Sequence, residues 1–153
     1  MEVIMVVAII GVIVMAAPTI MNQTVKFFIL GKVRIELQRE ARATMYVITR
    51  EIRQAQSGTI VVDQIAGQPY YSRLQFTKIQ GTAVTMAQKG SSLLLTEGVE
   101  VSTMTKNVAF LSFAFPRSDD MTILSVSLTL QEQIYGGATK ALHMASEKVR
   151  VMN

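Results

Sequence analysis

Cysteine is absent from the chain. Disulfide scaffolds, zinc ribbons and thiol nucleophiles are excluded together. The absence does not assign a compartment, since an exported protein need not carry disulfides. Histidine occurs once, at His143. With no second His or Cys to join it, a metal centre is not expected there. No G-x-S-x-G or S-x-x-K frames any serine. Gly136–Gly137 reads as a turn with no phosphate loop around it. Asp119–Asp120, between Ser118 and the nearby Pro116, reads as a turn in preference to a calcium or acid pair. Tyr70–Tyr71 reads as a pair of strand residues or as a recognition surface. No constellation points to an enzyme, a metal or a cofactor.

Charge is missing altogether from Val3 to Val25. Half of the residues are hydrophobic and the mean hydropathy is +0.34, but that excess is concentrated in this stretch. It meets the roughly 20 residues that a bilayer requires at about 1.5 Å per residue. Pro18, Thr19, Asn22, Gln23 and Thr24 make its second part less apolar. A basic n-region and a small-x-small cleavage site are both lacking, which argues against a signal peptide. Lys26, Lys32 and Arg34 come directly after the stretch. By the positive-inside rule they would place that end in the cytoplasm, which conflicts with export of the C-terminal residues. Glu2 stands at the head of the apolar run, where a carboxylate is costly unless it snorkels or finds a partner.

Three zones result. Residues 1–25 form an apolar membrane or filament-core helix. Residues 26–56 form an amphipathic helix: Leu30, Val33, Leu37, Ala41, Met45, Ile48, Ile52 and Ala55 recur at spacings of three and four and mark the face that packs on a head. Seven basic side chains (Lys26, Lys32, Arg34, Arg39, Arg42, Arg50, Arg53) and three acidic ones (Glu36, Glu40, Glu51) lie here. They account for the net charge of +4 and read as a solvated face or a subunit contact, not as a nucleic-acid stripe. Ser57–Gly58 supplies the stop. One helix to Gln56 would be about 80 Å long, too long for a small head to bury. Its first half must be covered by membrane or by other copies of itself.

Residues 57–153 change to period two and read as an antiparallel β-rich head. Strands are expected at Thr59–Asp63, Tyr70–Ile79, Thr82–Gln88, Ser91–Thr96, Ala109–Phe115, Thr122–Gln131 and Leu142–Val151. Breaks fall at Ala66–Pro69, Gln80–Gly81, Lys89–Gly90, Pro116–Asp120 and Gly136–Gly137. Short loops imply antiparallel neighbours, so a meander of four to seven strands is expected. The fold class is α+β.

The segment Glu2–Ile13, EVIMVVAIIGVI, resembles the start of mature type IV pilins and type II secretion pseudopilins. In that family a glutamate opens an apolar helix, a glycine follows at the spacing of Gly11, and a helix-breaking proline comes within one position of Pro18. The segment 36–55 is similar to some minor pilins and pseudopilins. The family has a few residues before the glutamate, starting with an N-methylated phenylalanine, and a basic leader before those. Only Met1 precedes Glu2 here, so the amine that would partner Glu2 is unassigned.

The resemblance implies a structural subunit that sits in the inner or cytoplasmic membrane before assembly. It then polymerises through its N-terminal helix into an extracellular or periplasmic filament, with the pilus assembly machinery as a partner. It implies an assembly role for Glu2 and a kinked or melted helix near Gly11 and Pro18. A helix from Glu2 to Gly11, an extended stretch to Pro18 and a second helix from Thr19 to Gln56 are therefore expected. A minor pilin or pseudopilin is the alternative. A membrane-anchored binding module that does not polymerise and a DNA-uptake pilin rank lower.

Overall fold

A computed structural model of the chain describes residues 2–137 and 139–152. Helix α1 runs from Glu2 to Arg53 without interruption. At 52 residues it is about 78 Å long. The extended stretch expected between Gly11 and Pro18 is not present in the single chain. Proline removes one donor from the helical ladder and crowds one carbonyl. Unwinding Val12–Ala17 would give up several more bonds of the ladder, a loss that lipid could not make good. The helix also ends before the expected Gln56. Ala55 already bridges Lys78, and the amide of Gln56 donates to the Thr77 carbonyl at 2.9 Å. The chain thus passes from helix into sheet pairing within three residues of Arg53.

Eight strands complete the chain: β1 (Val61–Asp63), β2 (Arg73–Thr77), β3 (Ala83–Lys89), β4 (Ser92–Glu97), β5 (Glu100–Thr105), β6 (Val108–Ala114), β7 (Ile123–Ile134) and β8 (Thr139–Arg150). They form two antiparallel sheets, β1-β2-β3-β4-β5 and β6-β7-β8, in place of the single meander expected. Strand β5 is not among the strands expected from sequence. Its first four residues are exposed, so it shows no alternation of buried and exposed positions. Tyr70 and Tyr71 lie in a turn ahead of β2. A short 3-10 turn at Ser57–Thr59 delays β1 by two residues against expectation.

The two sheets are joined along the outer edge of β6. The Phe113 amide donates to the Tyr71 carbonyl and the Val108 amide to the Ser91 carbonyl, both at 2.8 Å. Between them the Leu111 amide donates to Oε1 of the buried Gln88 at 3.0 Å, whose Nε2 donates to the Gly90 carbonyl. An edge strand with unpaired amides is a liability. Here the other sheet occupies it.

Helix α1 packs on β7 and β8 and reaches β5 with its flank. Strand β7 alternates as the sequence indicates: Leu124, Val126, Leu128 and Leu130 are buried between the half-exposed Ser125, Ser127 and Thr129. Leu37, Ala41, Met45, Ile48, Ile52 and Ala55 join them, with Leu111 and Phe113 of β6 and Leu74, Phe76, Val84, Met86 and Leu93 of the larger sheet, in one core. Leu30 and Val33 pack against its margin. A stripe of one helix therefore serves as the common floor of both sheets.

Candidate assembly surface

The helix divides sharply by exposure. Every residue from Val3 to Phe28 is exposed, and burial begins at Ile29. Sixteen large apolar side chains lie in that exposed stretch, from Val3 to Phe28. Burying one such side chain is worth about 1.5–3 kcal/mol, so together they represent tens of kcal/mol. That exceeds the 5–15 kcal/mol by which a whole domain is normally stable. Such a surface requires cover. By length and composition α1 is able to cross a membrane, and the head buries none of that window.

The Glu2 backbone belongs to α1, and its side chain lies outside the described residues. Gly11 sits in open space: a Cβ added there meets nothing within 4 Å. Its small size therefore answers no packing need within one chain. Gly11→Ala should stabilise the helix by about 1 kcal/mol. If a neighbour approaches closely at this point, the same change should also reduce polymer yield. Circular dichroism in detergent and quantified micrographs separate the two effects; unchanged yield would remove Gly11 from the assembly contacts.

At the border of the bare segment the tip of the β7–β8 hairpin reaches α1. The Tyr135 hydroxyl donates to the Lys26 carbonyl at 3.4 Å, and Lys26 Nζ lies 6.0 Å from the centre of the Tyr135 ring. The contact braces the helix where the head ends.

Two acids that read as ordinary surface charges in the sequence do more. Glu40 accepts from the buried Thr105 hydroxyl at 2.6 Å and from Asn107 Nδ2 at 3.3 Å, which pins α1 to the end of β5. Glu51 is buried. Its Oε2 lies 2.6 Å from Lys78 Nζ, and its Oε1 accepts from Arg50 at 2.8 Å. The Lys78 contact is an ion pair without aligned hydrogen-bond geometry, since Oε2 has no hydrogen-bond partner among the described residues. Lys78 also pairs with Glu97 of β4. Burial alone would push the Glu51 carboxyl up, but Lys78 and Arg50 outweigh it and hold it below its ordinary value. Burial likewise pushes Lys78 down, and Glu51 and Glu97 together raise it instead. No pattern of spacing marks this trio, because its members come from α1, β4 and the segment after β2 and meet only in the fold.

The acid pair of the sequence is occupied within a turn. Asp120 Oδ1 accepts from the Thr122 amide at 2.9 Å, and Asp119 is bound in a two-point contact by Arg117 at 2.9 and 3.1 Å. His143 lies half-buried on β8, paired in register with Leu130. Among the described residues no three His, Cys, Asp or Glu side chains gather where an ion would fit. Tyr70 and Tyr71 are exposed, and Tyr71 takes a left-handed backbone (φ 62°).

The architecture is a long apolar N-terminal helix packed by its second half on antiparallel sheets, which is compatible with a pilin-like fold. No protein-family model matches the chain, and no curated protein matches it.

Proposed function

We propose that the chain is a structural, non-catalytic subunit of a type IV pilin-like filament. It is inserted in a membrane through Val3–Val25 before assembly and polymerises through α1. One observation carries this reading. The first half of a single rigid helix is apolar and wholly uncovered, while its second half is the floor of the head. A membrane covers such a surface in the free subunit, and parallel copies of the same helix cover it in a polymer. A plain membrane anchor needs no continuous helix joining span to core, and this chain has one.

The resemblance assigns Glu2 to assembly, where a neighbour's terminal amine would compensate its charge. Breaking a buried charge pair costs about 3–5 kcal/mol. Glu2→Leu should therefore insert normally in membranes and lose filament incorporation by more than about a hundredfold. Membrane fractionation and negative-stain micrographs of the two proteins test this; normal filaments from Glu2→Leu would remove Glu2 from the mechanism.

A second reading, a minor pilin or pseudopilin at the tip or base of a filament, is favoured by the unbroken helix through Gly11 and Pro18. A stiff helix suits a short pseudopilus. Filaments made by the purified chain alone would support the main-subunit reading over this one.

A further inference from the structure

We infer that neighbouring copies meet head to head through an acidic knob at the β4–β5 turn and a basic groove between α1 and β8. The inference rests on the reading that copies of this chain assemble. The turn between β4 and β5 has two residues, Gly98 and Val99, flanked by the paired Glu97 and Glu100. Gly98 has a φ of 60°, which a first-position glycine in a II′-type hairpin supplies. That turn holds Val99 out from the head at 98% exposure, the highest of any large apolar side chain among the described residues. The knob thus presents one apolar side chain beside the open carboxylate of Glu100, while Glu97 is held by Lys78.

The groove lies on the other flank of α1. It has a volume of about 640 Å³ and is lined by Arg42, Tyr46, Arg50, Arg53 and Met152 among others. Tyr46 and Met152 are 69% and 75% exposed and offer apolar surface for a valine. Arg50 is engaged by Glu51, and Glu147, the acid lining the groove, accepts from the Thr49 hydroxyl at 3.3 Å. Among the described residues neither Arg42 nor Arg53 has an ion-pair partner, and neither does Glu100. Glu147 is also without an ion-pair partner among the described residues, so the groove keeps a net open charge of one sign, positive, and Glu100 supplies the opposite one.

A chain cannot fill its own groove with its own knob. At about 100° per residue, Arg42, Tyr46 and Arg53 project from one side of α1 and Glu40 and Val47 from the other. Strand β8 borders the first side, and β4 and β5 border the second. Knob and groove are therefore different patches centred on different flanks, although Arg50 at the crest of α1 is linked to Glu97 through Glu51 and Lys78. A contact between different patches is heterologous and repeats from copy to copy, producing an open helical array when the rotation does not close. Opposite charges also fix its register and direction.

The chain's lack of cysteine permits a direct test. Ser146→Cys on β8 places a thiol in the groove and Val101→Cys places one beside the knob, without touching the charged groups. Assembled full-length protein carrying both is treated with a short bis-maleimide and run on a denaturing gel. The expected result is a ladder well past the dimer, because each chain offers two different ends; either single variant stays monomeric, because its thiol faces a neighbour's surface that carries none. Glu100→Lys in the double-cysteine chain should reduce the species above the dimer about tenfold, and adding Arg42→Glu and Arg53→Glu should restore them. Filaments that yield only dimers, or a ladder indifferent to Glu100→Lys, overturn this contact and leave the filament reading standing. An unsubstituted chain that forms no filaments and whose double-cysteine form gives no ladder overturns both.

Discussion

Removal of residues 1–28 is expected to leave a soluble monomer with a nearly unchanged head. The cut falls where exposure ends: Val3–Phe28 are exposed, whereas Ile29, Leu30 and Val33 pack on the core. The truncated helix keeps Leu37, Ala41, Met45, Ile48 and Ile52, all buried. What the head loses is the Tyr135 contact with Lys26, whose cation–π component is worth about 0.5–1 kcal/mol at an exposed site. Sedimentation should report a monomer, and the melting temperature should lie within about 8 °C of that of the full chain in detergent. A fragment that aggregates or melts far lower would show that the first half of α1 contributes to the head's own stability. Its apolar face would then serve the fold of the single chain, and not a membrane or a neighbouring copy.

The second large effect is expected at Lys78. Lys78→Met leaves Glu51 buried with only Arg50 beside one of its oxygens. Breaking a buried ion pair costs about 3–5 kcal/mol. Because Arg50 still covers Oε1, the lower end, about 3 kcal/mol, is expected, or a fall of about 10 °C or more in melting temperature. Adding Glu51→Leu should recover most of that loss, since an apolar pair of similar volume often replaces a buried ion pair without penalty. A Lys78→Met head that melts within about 2 °C of the original would show that the pair contributes little to stability.

The same pair sets a pH dependence. Glu51 titrates below its ordinary value in the folded head, so its contribution is complete above the unfolded carboxylate's range and is lost as pH falls through the lowered value. Lys78 is raised, so its contribution is complete below the ordinary lysine range and is lost as pH rises through the raised value. A plateau across neutral pH with a decline at each extreme is expected, and both declines should shrink in Glu51→Leu/Lys78→Met.

Much of this molecule comes from one-dimensional pattern. A charge-free run from Val3 to Val25 must be covered by something, whatever the fold, because water is a poor solvent for it. The three-and-four spacing from Leu30 to Ile52 defines a buried stripe before any partner is known, and the alternation in Ile123–Leu130 defines which face of β7 is inside. These features are readable because each depends only on local geometry and on apolar burial. The trio Glu51, Lys78 and Glu97 is not readable: a buried ion pair between segments carries no periodicity, and its members look like surface charges until the core closes around them. Strand β5 is hidden for the opposite reason, since a mostly exposed edge strand needs no apolar alternation and is held by pairing to β4, with only its end tied to α1 through Thr105 and Glu40. The division of the strands into two sheets, with β6 seated against Gln88 and Tyr71, likewise depends on hydrogen bonds between distant residues. The state of the helix at Gly11–Pro18 is a third such matter. Sequence supplies the weak residues, but the surroundings decide whether the ladder holds, and in the single chain it holds: Pro18 removes one donor and crowds one carbonyl without ending the helix.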